Sequence, residues 1–153
     1  MCLGGRRALE LILAVPGRRY GEFADILEPL SARVAASEEE SIEEAQWQGL
    51  RLVVAHNPQQ AAEQTAQRRA RIAKLQQRAE QLTGKLDAQD GGKVQRGRKL
   101  SDSGAKARLF HEVSDAHLAR IVKVDLKSDL FTYDIDQTAL ARAEAMDGKL
   151  LLL

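Results

Sequence analysis

The last residues of the chain constrain its fold more than any other segment. Four consecutive leucines, Leu150, Leu151, Leu152 and Leu153, follow the turn-forming pair Asp147-Gly148. A continuous apolar run after a turn is typical of a buried strand, and such a strand has neighbours on both sides. The ending therefore predicts a strand that enters a sheet, and a sheet that continues beyond residue 153.

Charge is strongly segregated along the chain, although the formal net charge is only +1. Residues 22–44 contain eight Asp and Glu against one Arg, whereas residues 68–108 contain twelve Lys and Arg against four Asp and Glu. The second segment carries a net charge of +8. Such a segment is suited to contact with a polyanion.

The length of 153 residues suits a single domain, but aromatic residues make up only 4% of the chain, so bulky core material is thin. The one cysteine, Cys2, excludes a disulfide within the chain and favours an intracellular setting. No apolar run approaches the roughly 18 to 20 residues of a membrane span. We therefore expect a cytoplasmic protein with no membrane contact.

The first half of the chain predicts a helix, a linker and a hairpin. Residues 6–15 have apolar residues at helical spacing, and residues 1–4 resemble the end of a strand. Residues 35–40 lack periodicity and predict a solvated linker. Residues 43–49 and 50–56 predict two strands joined by a turn at Gln48-Gly49.

A long helix is predicted from Pro58 to about Leu86, because Asn57-Pro58 combines a capping side chain with a proline suited to the first helical position. Its apolar residues form a seam of about two heptads. The seam consists of Ile72, Leu75, Ala79, Leu82 and Leu86. This length favours an antiparallel pair of helices, or a helix on a sheet, over a freestanding coiled coil.

The second half predicts a flexible basic loop over residues 87–103 and then alternating helices and strands. The predicted segments are a helix over residues 103–113, a short helical segment through residue 119, strands over 121–126 and 130–135, a helix over 137–145 and the final strand. The two strands form a second hairpin or one bent strand. The predicted fold class is therefore mixed α/β and helix-rich, with two short hairpins and a long basic helix.

No catalytic or metal-binding residue is predicted. His56, His111 and His117 lack a metal-ligand spacing, and no nucleophile motif or phosphate-binding glycine loop occurs. The aspartates of the second half admit a two-metal interpretation, but helix caps and turns explain them better. These aspartates are Asp125, Asp129, Asp134, Asp136 and Asp147.

The basic segment supplies the candidate binding residues. Four of them recur at three- and four-residue steps on one helix face, and three lie in the predicted loop. They are Arg68, Arg71, Lys74, Arg78, Arg96, Arg98 and Lys99. Such residues bind phosphates without reading sequence, and the absence of aromatic residues from residues 68–108 argues against base stacking. A solvated helix face is the alternative.

Three segments resemble bacterial insertion-sequence DDE transposases. Residues 50–74 resemble a strand ending in a (V/I)xxxNP motif that opens a long charged helix, here VVAHNP. Residues 97–153 are similar to the part of these enzymes that precedes a DG…L.TN strand, and residues 1–5 resemble their Y(I/L)LG strand. Together these segments extend from one end of the chain to the other.

The resemblance implies part of an RNase H-like catalytic domain with a helical insertion, which cuts and joins DNA through three acidic residues and two Mg²⁺ or Mn²⁺ ions. In that alignment two catalytic aspartates precede residue 1 and the glutamate follows residue 153, so no residue here takes their roles. Residues 1–153 are thus expected to be a single partial domain of a truncated transposase, with DNA as partner, inactive alone, and nucleoid-associated in the bacterial cytoplasm when bound.

Two alternatives use the same residues differently. One is a small basic nucleic-acid-binding module. The other is a helical interaction protein that uses the seam from Ile72 to Leu86. Self-association is expected through that seam or through the strand Leu150 to Leu153, because an unpaired apolar strand edge promotes pairing with a second chain.

Overall fold

The computed structural model describes residues 12–93 and 97–153. The chain divides into two compact units. The sheet unit comprises residues up to 62 together with residues 148–153, and the helical unit comprises residues 63–147. The predicted strand end at residues 1–4, most of the predicted helix over residues 6–15, and Arg96 lie outside the described residues.

The sheet unit begins with a short 3₁₀ helix, Gly17–Phe23, and helix α1, Ala24–Ala35. No element is predicted from the sequence for this segment, and Pro29 lies inside α1. The helix nevertheless buries Leu27, Leu30 and Val34, whose three- and four-residue spacing is the signal that was available. The predicted solvated linker follows α1.

The predicted hairpin is confirmed as strands β1, Ser41–Trp47, and β2, Leu50–His56. Gln48 and Gly49 connect them with φ angles of 48° and 79°. A two-residue turn with both residues in the left-handed region matches the twist of the flanking strands. The local turn residues therefore set the register, with Trp47 opposite Leu50.

The final strand, β5, is confirmed at Lys149–Leu152 and has neighbours on both sides. It pairs antiparallel with β2, and Ala14 forms a bridge to Leu152 on its other edge. The predicted helix is therefore wrong for residues 12–15, whose backbone bonds to β5 instead. Burial is one-sided, since Leu151 is 1% exposed and Leu150 is 47% exposed.

Helix α2, Pro58–Asp90, is the predicted long helix, extended by four residues. The Asn57 side chain accepts a hydrogen bond from the Gln60 N–H at 2.9 Å, as predicted for the cap. At the other end Gly92, with φ 70°, donates to Gln89 O, and Lys93 donates to Ala88 O. These two bonds form the glycine-terminated helix end of a Schellman motif, so the helix ends at the glycines rather than at Leu86.

Helix α3, Asp102–Asp115, packs antiparallel on α2 within the helical unit. The predicted seam forms the core of this pair, facing Ala105, Leu109 and Val113. The preference for a helical pair over a freestanding coiled coil is confirmed. Four seam residues are buried and Leu86 packs against them.

The predicted helical segment through residue 119 is wrong. His117 has φ 57°, and the N–H groups of His117 and Leu118 donate to Ser114 O and Val113 O, both at 3.0 Å. This is again the Schellman pattern, with histidine in place of the usual glycine. Helix α3 therefore ends in a left-handed residue.

The remaining elements match their predicted order. Strands β3, Val122–Val124, and β4, Tyr133–Ile135, form the second hairpin, shorter than predicted. Helix α4, Gln137–Ala145, has the predicted bounds, and the Asp136 carboxylate accepts from the Ala139 N–H at 2.9 Å. The mixed α/β class is confirmed. None of the described helices is long and apolar enough to cross a membrane.

Candidate nucleic-acid interface

Arg68 is engaged inside the helical unit. Its guanidinium binds the Asp147 carboxylate in a two-point contact of 2.5 and 2.6 Å, and the Thr65 hydroxyl donates to the same carboxylate at 2.7 Å. The Asp147 side chain is 5% exposed. These bonds raise the pKa of Arg68, so its charge is permanent but neutralised. Asp147, predicted as a turn residue, fixes the end of α4 to α2.

Arg78 is also neutralised. Its Nε donates to a Glu112 carboxylate oxygen at 2.8 Å, which connects α2 to α3. Two of the four arginines and lysines predicted on the α2 face are therefore occupied by carboxylates. The neighbouring Arg69 is likewise paired, with Glu144 at 2.7 Å.

Arg71 and Lys74 have a different environment. Both are exposed, and neither has an ion-pair partner within residues 12–93 and 97–153. The same holds for Arg98 and Lys99 in the segment that joins α2 to α3. These four of the seven predicted binding residues keep an uncompensated charge.

The joining segment is fixed to α2 at one point. The Gln89 side-chain amide donates to Leu100 O at 2.8 Å and accepts from the Leu100 N–H at 2.7 Å. A two-point amide contact of this kind orients the backbone on either side of it. Arg98 and Lys99 are therefore attached to an anchored segment.

A cavity of about 670 Å³ lies between the last turns of α2, this joining segment and the first turns of α3. Four cations line it, namely Lys85, Arg98, Lys99 and Arg108. Its lining contains no carboxylate. Lys85 and Arg108 are exposed and have no ion-pair partner in the described part of the chain.

Lys85 and Arg108 belong to the basic segment but are not among the seven predicted binding residues. They are separated by 23 positions along the chain, and the antiparallel pairing of α2 with α3 brings them to the same cavity. The available signal was the pair of apolar faces, the seam of α2 and Ala105, Leu109 and Val113 of the next predicted helix, which suit an antiparallel pair.

Helix α3 starts at this cavity. The Ser101 hydroxyl caps the helix by accepting from the Gly104 N–H at 3.0 Å, and both residues belong to the lining. The start of a helix carries partial positive charge. Asp102 lies in the first turn of α3 and keeps its negative charge, but its carboxylate accepts from the Phe131 N–H at 2.8 Å and is not part of the lining.

Two more of the five aspartates, Asp125 and Asp136, stabilise local structure. Asp136 caps α4, and the Asp125 carboxylate accepts from the N–H groups of Lys127 and Ser128, which lowers the pKa of Asp125. Within the described residues, no group of three or more His, Cys, Asp or Glu side chains is arranged to hold a metal ion. The two-metal interpretation gains no geometric support from this part of the chain.

The histidines are dispersed. His56 is buried in the sheet unit, and its Nδ1 has no hydrogen-bond partner among the described residues. Burial and the nearby charge of Lys149 lower the pKa of His56. A hydrogen bond to the Val34 backbone has the opposite effect, and the pKa is lowered on balance. His111 lies on the surface, 3.3 Å from Asp115, and His117 ends α3.

Comparisons of the chain with protein-family models, with curated proteins and with solved structures give no match.

Proposed function

We propose that the chain binds nucleic acid through its backbone phosphates, without reading sequence. The observation that carries this proposal is a set of exposed cations in the helical unit that have no carboxylate partner among the described residues. Six of these cations carry the proposal, and we call them the six unpaired cations: Arg71, Lys74, Lys85, Arg98, Lys99 and Arg108.

The distinction between paired and unpaired cations matters physically. A lysine or arginine that contacts a phosphate releases condensed counterions, and this release drives association. An arginine already bound to a carboxylate must first lose that partner. Arg68 and Arg78 are therefore assigned to the fold, although the sequence placed them on the candidate binding face.

The resemblance to DDE transposases supports DNA as the polyanion. The residues of this chain that support the proposal are cations suited to phosphate contact, so the proposed activity is binding. The Mg²⁺ or Mn²⁺ ions of those enzymes are held by acidic residues, and no residue of this chain is assigned to hold them. The proposed location is the bacterial cytoplasm, in association with the nucleoid.

We also propose that β2 and β5 belong to an RNase H-like sheet and that residues 63–147 are an insertion between them. The support is the chain order. Strands β2 and β5 are neighbours in the sheet, but the long helix after Asn57-Pro58 and the segments up to Asp147 lie between them in the chain. The expected self-association surfaces are not included in the proposal. The seam is packed against α3, and both edges of β5 form backbone hydrogen bonds.

The test compares the removal of paired and unpaired cations. Fluorescence anisotropy of a labelled DNA duplex of arbitrary sequence measures binding by the purified full chain. The double variant Arg71→Gln/Lys74→Gln should weaken binding. It should also reduce the slope of the logarithm of the binding constant against the logarithm of salt concentration, by an amount that corresponds to about two phosphate contacts.

The matched control is Arg69→Gln, which removes a cation of the same helix that is already paired with Glu144. It should leave the salt dependence nearly unchanged. Equal effects of the paired and unpaired sites, or no binding at low salt, would overturn the proposal. Nicking of supercoiled DNA that requires Mg²⁺ would overturn the restriction to binding.

A further inference from the structure

We propose that the cavity at the start of α3 holds one phosphate group of the bound nucleic acid. We call it the phosphate seat, lined by Lys85, Arg98, Lys99 and Arg108. This inference rests on the proposed function and adds a defined position to it. It separates the four seat cations from Arg71 and Lys74, which lie outside the lining.

Convergence is the first argument. The four cations come from three backbone segments: Lys85 from α2, Arg98 and Lys99 from the joining segment, and Arg108 from α3. A solvated charge run along one helix does not create this arrangement. Like charges gathered around a cavity without a carboxylate repel one another, and an anion in the cavity relieves that repulsion.

Preorganisation is the second argument. Gln89 fixes the joining segment through its two bonds to Leu100, and Ser101 fixes the start of α3 through its cap. The backbone on two sides of the cavity is therefore set before a ligand arrives. A preset site avoids part of the ordering cost of binding.

The start of α3 supplies further attraction. The helix has 14 residues, and its positive end opens on the cavity at Ser101 and Gly104. Because the Asp102 carboxylate is bonded to the Phe131 N–H, it does not occupy this position. The helix start and the four cations therefore both favour an anionic ligand.

Gly84 provides a fourth argument. It lies in the interior of α2 and lines the cavity, and a Cβ built on it would meet nothing within 4 Å. Glycine in an exposed helix interior costs about 1 kcal/mol relative to alanine. Packing does not require glycine here, whereas close approach of a ligand to the helix backbone would.

The first experiment titrates the full chain with inorganic pyrophosphate and follows backbone amide signals by NMR. The expected result is saturable shifts of the Leu100, Ser101 and Gly104 amides, which surround the seat. Shifts that do not saturate, or that spread equally over all the basic residues, would overturn the seat.

Two pairs of variants test the assignment. Gly84→Glu introduces a carboxylate at the cavity while replacing glycine with a better helix former, so folding is preserved. It should weaken pyrophosphate binding by about tenfold or more. Its control, Gln77→Glu, adds the same charge at an exposed site of the same helix and should change binding less than about twofold.

The second pair removes charge. Lys85→Gln/Arg108→Gln should weaken pyrophosphate binding by about tenfold or more, whereas Arg71→Gln/Lys74→Gln should change it less than about twofold. The charge-conserving Lys85→Arg should retain binding. Equal losses in the two double variants would overturn the seat.

The failure of the seat is distinguishable from failure of the proposed function. If the duplex binds and Arg71→Gln/Lys74→Gln weakens it more than Arg69→Gln does, but the two double variants weaken pyrophosphate binding equally, nucleic-acid binding stands and the seat is overturned. If pyrophosphate binds at the seat and no duplex binds at low salt, the proposed function is overturned and the pyrophosphate result identifies an anion site without a nucleic-acid role.

Discussion

Gly148→Ala should destabilise the sheet unit far more than Gly49→Ala, although both glycines have a positive φ. The angles are 67° at Gly148 and 79° at Gly49. A residue with a Cβ in this region of φ lowers the free energy of unfolding by about 1 to 2 kcal/mol. About 0.4 to 1 kcal/mol of this loss is offset, because replacing glycine lowers the entropy of the unfolded chain. Backbone conformation alone therefore predicts similar losses of about 0.5 to 1 kcal/mol.

The surroundings of the two glycines differ. A Cβ at Gly148 would lie 2.4 Å from Asn57 O and 2.8 Å from Ala61 N, whereas a Cβ at Gly49 would meet nothing within 4 Å. The crowded atoms are backbone atoms of the first turn of α2, joined to each other by a 3.0 Å hydrogen bond. Moving them should add about 1 to 3 kcal/mol. The expected loss of unfolding free energy for Gly148→Ala is about 1.5 to 4 kcal/mol.

Urea denaturation followed by tryptophan fluorescence measures this difference. Trp47 is the only tryptophan of the chain, it lies in β1, and its ring centroid is 4.5 Å from that of Phe23. The signal therefore reports on the sheet unit. The midpoint of Gly148→Ala should fall well below that of Gly49→Ala at an unchanged slope. Equal midpoints would refute the argument from close contact.

Three further predictions concern single side chains. Because burial lowers the pKa of His56, the folded sheet unit binds fewer protons than the unfolded chain, so its stability should fall as pH drops below about 6.5. Trp47 fluorescence measures this, and a His56→Gln variant that keeps the same pH dependence would contradict it. Asp147→Asn should destabilise the helical unit by about 3 kcal/mol, because it leaves Arg68 without a charged partner. Calorimetric unfolding tests this, and a loss no larger than that of Arg69→Gln would contradict it. His117→Gly should raise stability by up to about 1 kcal/mol, because glycine adopts φ 57° without strain. A lower unfolding temperature would contradict it.

Local signals in the sequence were sufficient for most elements. The turn at Gln48-Gly49, the cap at Asn57 and the cap at Asp136 each act through neighbouring residues, and each was predicted correctly. Tertiary pairing decided the error at the start of the sheet unit. Residues 12–15 have apolar side chains that also suit a helix, and only the position of β5 identifies them as its neighbour.

The candidate site was predictable in part for the same reason. Sequence composition located the basic segment, because charge is visible without structure. It could not separate Arg68 from Arg71, since the Asp147 that neutralises Arg68 is distant along the chain. It also could not place Arg108 beside Lys85, because that proximity depends on how α3 packs on α2.

The salt dependence of DNA binding by the unmodified chain tests the central claim most directly. If the six unpaired cations contact phosphates, the logarithm of the binding constant should fall linearly with the logarithm of salt concentration, with a slope of about −5. A slope near zero, or no binding of a duplex at low salt, would contradict the claim that these cations form a nucleic-acid interface.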